Sequence, residues 1–197
     1  DLTELLLDYR QDPTQAAGVG ELTPRGASAR NVALLEDARR ALAAAPVGEA
    51  RATLTLELTT ADHAVGATLA GEVARGGIAG EVTLRCRGVA GQGFGFAATR
   101  GMRLFLEGYA NDTVGAAMSG DARLVIVPPA GRHTRDVPHL VGNAAAYGAT
   151  GGVLYVAGKA GQRFGVRNSG GVLVAEGVGK YAFEYMTGGL GIVLGRC

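Results

Sequence analysis

The chain has no tryptophan, only 6% aromatic residues and two cysteines in 197 residues. With so few rings, any hydrophobic core must be aliphatic, built from Val, Leu, Ile and Ala. The net charge of +1 is too balanced to favour nucleic acid or an anionic membrane as the main partner. No apolar run approaches the ~18 residues of a membrane span, and no segment has the pattern of a signal peptide. We therefore expect a cytoplasmic protein.

The cysteines, Cys86 and Cys197, stand far apart and do not indicate a secreted disulfide framework. Cys86 continues an alternating apolar pattern with Val82 and Leu84. That pattern predicts a buried structural thiol, because free cysteine behaves as a small hydrophobic residue.

Glycine, in contrast, is abundant, with 33 residues. After residue 50 it recurs every six or seven positions, as at Gly152, Gly158, Gly165, Gly171 and Gly177. An ordered glycine costs roughly 0.5–1 kcal/mol relative to alanine inside a strand or helix. We therefore expect most of these glycines at corners with positive φ or at close backbone approaches, where a side chain is excluded.

Residues 1–50 contain few glycines and form a first region, a helical appendage that we expect to cap one end of the fold. The leucines of residues 2–7 predict a short helix. Asn31 is the expected N-cap of a second helix over residues 32–45, which Pro46 would end. Its apolar face would consist of Leu34, Leu35, Ala38 and Leu42.

Residues 51–197 form the second region, in which short strands recur about every 20 residues. Their predicted centres are Leu56, Thr83, Leu104, Val125, Leu154, Leu173 and Val193. The longest interval, between Val125 and Leu154, contains several prolines and is typical of an inserted loop. Within residues 60–75, Val65, Leu69 and Val73 repeat every four positions and indicate a helix.

This repeat predicts an all-β fold, a right-handed parallel β-helix in the form of a single-stranded solenoid with the short N-terminal helical appendage. Each layer would have three sides with glycine at the corners. The alternative is an antiparallel sandwich with hairpins, whose strands are spaced about 8–12 residues apart. The absence of Asn-Gly and Asp-Gly pairs argues against hairpins.

Two sequence elements recur within the second region. Residues 88–95 match residues 158–165, each with a Gly-Gln pair followed one residue later by Phe-Gly. A run of small residues closing in glycine also recurs, at 66–71, 115–120, 147–152 and 185–189. Because a single active site needs one copy of a motif, these repeats indicate structural elements.

The segments 142–152, 163–170 and 176–189 resemble the GXGXG domain that closes the large (alpha) subunit of glutamate synthase. The resemblance covers roughly residues 52–197 and implies a right-handed β-helix without a reaction centre of its own. Such a domain braces the glutaminase domain against the FMN-containing synthase barrel and helps to frame the route of ammonia. Similar domains form one of the subunits of formylmethanofuran dehydrogenase and of the formyltransferase/hydrolase complex.

The catalytic groups of glutamate synthase have no counterpart in this sequence. Residue 1 is Asp and not the nucleophilic cysteine of a glutaminase, and two cysteines cannot ligate an iron–sulfur cluster, which needs about three or four thiolates. We therefore expect no catalytic, cofactor-binding or metal-binding residues here. The resemblance implies FMN and iron–sulfur centres in partner domains only.

Several motifs have a structural and a functional interpretation. Residues 91–95 miss the dinucleotide fingerprint because position 98 is Ala and no helical pattern follows. Asn168-Ser169-Gly170 fails the nucleophile-elbow pattern, so we expect a corner serine bonded to local backbone. The histidines lack metal-ligand spacing, and loop positions are expected for His133 and His139; the third is His63.

Three charged residues, Arg163, Arg167 and Glu184, stand inside otherwise small and apolar segments. The structural interpretation is an ion pair, or an arginine capping carbonyl groups at a corner. The functional interpretation is contact with a partner domain, and substrate contact is a third. A ladder of stacked amides is a weaker hypothesis, involving Asn111, Asn143 and Asn168.

Three hypotheses follow. In the first, the chain is a non-catalytic scaffold of a glutamate-synthase-type amidotransferase/oxidoreductase, holding glutaminase and flavin-synthase parts. In the second, it belongs to a C1-transfer complex of the formylmethanofuran dehydrogenase or formyltransferase/hydrolase kind. In the third, it is a homo-oligomer that associates through an open end of the β-helix, because an unpaired sheet edge favours association.

Overall fold

The computed structural model describes residues 27–46, 50–131 and 137–195. The helix predicted over residues 2–7, His133 and Cys197 lie outside these ranges. The helices are α1 (Ala29–Ala43) and α2 (Ala67–Ala74). The strands are β1 (Arg51–Leu58), β2 (Glu81–Ala90), β3 (Met102–Ala110), β4 (Arg123–Val127), β5 (His139–Val141), β6 (Val153–Ala160), β7 (Ser169–Gly177) and β8 (Gly188–Val193).

All strand pairs are parallel, and the eight-stranded sheet has the order β1-β2-β3-β4-β6-β7-β8, with β5 pairing β3 and β6. The register places a leucine at the same level on neighbouring strands. These leucines are Leu54, Leu84, Leu104, Leu124, Leu154 and Leu173. All but the first are fully buried, so the strand repeat of the sequence becomes an aliphatic column through the core.

The sheet contains a closed circuit of strands. β3 pairs with β4 along one part of its length and with β5 at Ala110, and both β4 and β5 pair with β6. These four strands form a closed parallel barrel, to which β1, β2, β7 and β8 are added.

The prediction of an all-β, right-handed parallel β-helix, a single-stranded solenoid, is therefore wrong. The sequence repeat was interpreted as a three-sided layer, but the segments between strands are turns or helices and not further strands. The interval between β4 and β6, expected as a loop, contains the extra strand β5 that closes the circuit. The fold is a strand-rich barrel and sheet with two helices among the described residues.

Helix α1 starts earlier than the sequence predicted, and its N-cap is Ser28, whose hydroxyl accepts from the Asn31 amide. Asn31 is therefore not the cap. Its buried side chain donates to the His63 carbonyl and accepts from the Gly66 amide, both at 3.0 Å. This amide joins α1 to the segment that precedes α2. Leu34 and Ala38 of the predicted apolar face are buried, as expected.

The other predicted elements are confirmed in position. Each named strand centre lies within a strand, and Val65, Leu69 and Val73 are buried on or beside α2, which is shorter than residues 60–75. The short strand β5 escaped prediction because its three residues lie next to Pro138 and carry no alternation of their own.

Two glycines differ in the space around them. Gly108 has φ +153° and lies opposite Gly88, and a Cβ at Gly108 would overlap the Gly88 carbonyl oxygen. Gly148, at φ +64°, has nothing within 4 Å of the place that a Cβ would take, and Ala97 and Ala117 occupy the equivalent position in their turns.

Gly108→Ala should therefore lower the free energy of unfolding by about 3 kcal/mol or more, because the backbones of β2 and β3 must separate. The matched control Gly148→Ala should cost about 1 kcal/mol or less. Urea unfolding followed by circular dichroism measures both. Equal losses would show that the close approach of β2 and β3 does not limit stability.

Candidate functional site

The glycine-rich repeats form a stack of turns along one side of the molecule. We call this the turn stack and define it as residues 92–97, 112–117, 143–148, 162–167 and 180–185. Each turn lies between consecutive strands of the sheet, so the parallel register of the strands also brings equivalent turn positions into contact. Residues 63–66, before α2, join the first of these turns.

Backbone hydrogen bonds connect every turn to its neighbours. The second residue of a turn donates its N–H to the following turn, as from Arg163 to the Lys180 carbonyl at 2.9 Å, and so does the sixth, as from Arg167 to Glu184 at 2.9 Å. The fourth residue donates in the opposite direction, as from Gly165 to the Ala145 carbonyl at 2.8 Å. The amides of these residues are thus used within the stack.

The residues that donate in this way have positive φ. Many are not glycine, and the non-glycine members of the turn stack are Ala97, Thr113, Ala117, Ala144, Ala146, Arg163, Arg167, Tyr181, Phe183 and Tyr185. The left-handed conformation costs roughly 1 kcal/mol for such residues. In every turn but the last, the hydrogen bonds to neighbouring turns hold the backbone there, so the conformation is imposed by the stack and not by residue type. Tyr181 and Tyr185 lie in the last turn, which has no following turn among the described residues to accept from their amides.

The predicted partner contacts lie together at the last two turns. Arg163, Arg167 and Glu184 are all exposed, and the Arg163 guanidinium lies 5.8 Å from the centre of the Tyr181 ring. None of the ion pairs found in residues 27–46, 50–131 and 137–195 includes these charges. The two arginines take part in the stack through their backbone amides, which leaves their guanidinium groups at the surface. Contact with a partner stays a prediction.

Sequence reasoning missed the aromatic residues of the last turn. Tyr181 and Tyr185 are 57% and 73% exposed, and Phe183 packs edge-on against Phe164 at 5.7 Å between ring centres. The signal was present in the internal repeat, because Arg163 aligns with Gly93 and therefore shares its backbone conformation. Extending that alignment by one turn would have placed Tyr181 at the same position.

The asparagine ladder is wrong, because the three residues occupy different places in their turns. Asn143 begins a turn and accepts from the Gln162 amide at 2.9 Å, whereas Asn111 precedes a turn and accepts from the amide of Asp112. Asn168 follows a turn and bonds to Gly171. Of the three, only Asn143 bridges two turns, and it does so by accepting from a backbone amide and not by stacking on another asparagine.

Asn168 is fully buried and all its bonding groups are used. Its Oδ1 accepts from the amides of Gly170 and Gly171 at 3.3 and 2.8 Å, and its Nδ2 donates to the Gly171 carbonyl at 2.9 Å. The next residue, Ser169, donates its hydroxyl to the Ala149 carbonyl at 3.4 Å. The serine is bonded to backbone as predicted, but the expected local partner at a corner is wrong, because Ser169 begins β7 and its acceptor lies 20 residues earlier in the sequence.

Cys86 is 1% exposed, which confirms the prediction of a buried thiol. Burial raises the pKa of this thiol to about 12, with a smaller contribution from the negative charge of Glu57. The thiol is therefore protonated near neutral pH and lacks the thiolate form that acts as a nucleophile or metal ligand.

The remaining candidate motifs have structural positions. Residues 92–97 lead into β3 and not into a helix. His63 Nδ1 accepts from the Gln92 amide at 3.3 Å, and His139 is the first residue of β5. Over the described ranges, no three His, Cys, Asp or Glu side chains are grouped so as to hold a metal ion. No helix in the same ranges is long and apolar enough to cross a membrane.

Two carboxylates form ion pairs next to strand ends. Arg30 donates to Asp62 at 2.8 Å and lowers the pKa of that carboxyl, which joins α1 to the end of β1. Arg103 donates to Asp121 at 2.8 Å and, with the Gly101 amide, lowers the pKa of Asp121. Both interactions connect elements distant in sequence and have a structural role.

Comparison with known proteins gives a consistent result. The GXGXG motif family matches residues 31–197. The chain is 45% identical to ferredoxin-dependent glutamate synthase 2 of a Synechocystis species over 148 residues, which are 73% of this chain and 10% of that protein. It is 44% identical to the chloroplastic ferredoxin-dependent glutamate synthase 2 of Arabidopsis thaliana over 148 residues, 72% of this chain and 9% of that protein.

The NADPH glutamate synthase large chain of Bacillus subtilis is 46% identical over 114 residues, 58% of this chain and 8% of that protein. The chain thus matches about a tenth of the length of these relatives.

Asn168→Ala should lower the free energy of unfolding by about 2–4 kcal/mol, because the buried N–H and C=O groups of Gly171 lose their partners. Ser169→Ala, at an exposed position one residue on, should cost about 1 kcal/mol or less. Chemical denaturation of both variants measures the difference. If the two losses are the same, the buried amide does not organise the entry to β7.

Proposed function

Since the chain belongs to the GXGXG family, we propose that it is a non-catalytic structural part of a glutamate-synthase-type assembly. In this role it holds a glutaminase part and a flavin-synthase part in register while ammonia passes between them. This role is supported by the fact that the chain matches only 8–10% of the length of these relatives, because most of each relative's polypeptide lies outside the matched region.

The observation that carries the proposal is that the backbone N–H groups of the turns donate to neighbouring turns. Glycine-rich turns bind phosphates when their N–H groups point at the ligand. In the turn stack these groups instead donate to the carbonyl groups of neighbouring turns, for example Gly93 to Asp112 at 2.9 Å. The repeated glycine motif therefore supports a rigid body and not a nucleotide site.

The reactive side chains are committed to structure as well. Cys86 is a buried, protonated thiol, and the hydroxyl of Ser169 donates to a backbone carbonyl. Asn168 uses its side-chain amide to order Gly170 and Gly171. A nucleophile needs an adjacent base or a lowered pKa, whereas the pKa of the Cys86 thiol is raised and Asn168 and Ser169 are bonded to backbone.

The donor chemistry does not fit the cofactors that glutamate synthases imply. An iron–sulfur cluster needs about three or four thiolates, whereas the sequence has two cysteines and one of them is buried in the core. For a flavin phosphate, the turn amides are engaged within the stack. We therefore assign FMN and iron–sulfur chemistry to partner domains, and no step of the reaction to this chain.

The relatives described above favour this proposal over a C1-transfer complex, because each is a glutamate synthase. A cytoplasmic location belongs to the same proposal and rests on the composition of the chain.

The proposal is tested by replacement in the Bacillus subtilis large chain. Deleting its matched region should abolish glutamine-dependent glutamate formation, because the remaining parts lose their brace. Inserting the full chain described here should restore that activity, and inserting the Gly108→Ala variant should restore less. The purified chain alone should form no glutamate from glutamine. Failure of the insertion to restore activity, or turnover by the chain alone, would contradict the proposal.

A further inference from the structure

The outward face of the sheet changes character from one end to the other. At the middle level, the register aligns Thr55, Arg85, Phe105, Val125, Tyr155, Val174 and Ile192 on successive strands. At the level before it, the aligned residues are Thr53, Thr83, Arg103, Arg123, Val153, Val172 and Leu190. Polar and charged side chains on β1 and β2 thus give way to apolar ones on β6, β7 and β8.

We call the apolar part the outer patch and define it as Val125, Val153, Tyr155, Val172, Val174, Leu190 and Ile192. None of these side chains is buried, and Tyr155 and Leu190 are 42% and 51% exposed. Parallel sheets are normally covered on both faces, and contiguous exposed apolar patches mark interaction sites. Helix α1 packs on β1 and α2, at the other end of the sheet.

On the side toward β2 and β3, the outer patch is flanked by arginines. Arg123 is exposed next to Val153, and Arg85 is exposed next to Phe105. Arg103, between them, bonds to Asp121 and Glu81. In contrast, the ion pairs found in the described parts of the chain include neither Arg85 nor Arg123.

Arg85 also lines a groove with Thr55, Arg87, Phe105 and Glu107. A carboxylate placed in this groove would accept from a guanidinium that has no acidic partner in the described structure.

We propose that the outer patch is the surface that receives a partner domain, one with apolar side chains at its centre and carboxylates facing Arg85 and Arg123. This inference rests on the proposed function and assigns a face to it. A second copy of the chain fits less well, because its outer patch would bring the same unpaired arginines and no carboxylates for Arg85 and Arg123. The patch residues lie on β4, β6, β7 and β8, which together span only about 14 Å at ~4.8 Å per strand. This width is too small for a whole interface, so the patch forms the apolar centre of an interface whose rim is polar.

The experiment compares cysteine labelling at two positions with the same exposed fraction. Tyr155→Cys lies in the outer patch, and Val32→Cys on α1, at the other end of the sheet, is the matched control; both side chains are 42% exposed. Each is made in the full chain, both alone and inserted into the Bacillus subtilis large chain. Maleimide labelling is followed by peptide mass spectrometry, which separates these sites from other cysteines.

In the isolated chain both sites should label at similar rates. In the assembled protein, labelling of Tyr155→Cys should slow by at least about tenfold while that of Val32→Cys is unchanged, because access controls thiol reactivity. Arg123→Glu should restore part of the labelling at Tyr155→Cys by repelling the partner's carboxylates.

Unchanged labelling of Tyr155→Cys in an active assembly would overturn the inference and leave the proposed function standing. Slow labelling of Tyr155→Cys already in the isolated chain would also overturn the inference. Analytical ultracentrifugation then identifies what covers the patch: a dimer indicates a second copy, and a monomer indicates other residues of the same chain. If the unmodified insertion forms no active assembly, the proposed function fails, and this inference with it.

Discussion

In the turn stack, amide N–H groups of left-handed residues donate alternately to the following and the preceding turn, as Arg163 does to Lys180 and Gly165 to Ala145. Each such bond contributes about 1 kcal/mol net, and an unpaired buried amide would cost more. Together they hold residues as unlike as Thr113, Ala144 and Arg163 in one unfavourable conformation. The strands depend on this stack because it returns the chain to the sheet at the same level after every turn.

The sequence was informative wherever a local pattern has one structural meaning. Alternation and spacing located the strands around Leu84, Leu104 and Leu124, and the four-residue repeat located α2. The fold class was wrong because spacing does not report which strands pair: β5 carries too few residues to be seen, yet it closes the circuit between β3 and β6. The sequence also contained no sign of the left-handed backbone conformation in the turns, since Tyr185 and Arg167 adopt positive φ without being glycine.

The candidate site was only partly predictable for the same reason. Arg163, Arg167 and Glu184 stood out as charges in small, apolar segments, and the structure places them together on the surface of the last two turns. The outer patch could not be read from the sequence, because its members come from separate strands and are aligned only by register. The chain thus combines a bonded stack of turns with exposed surfaces of different chemistry, as the proposed role in a larger assembly requires.

Amide hydrogen exchange in the turn stack tests the central claim most directly. The amides of Thr113, Ala144 and Arg163 should exchange as slowly as those in the middle of β3, because they bond to the next turn and open only with the sheet. The exposed turn residue Gly131, outside the stack, provides the fast reference. Exchange of the turn amides at the rate of Gly131 would contradict the account, since the turns would then open independently of the strands they connect.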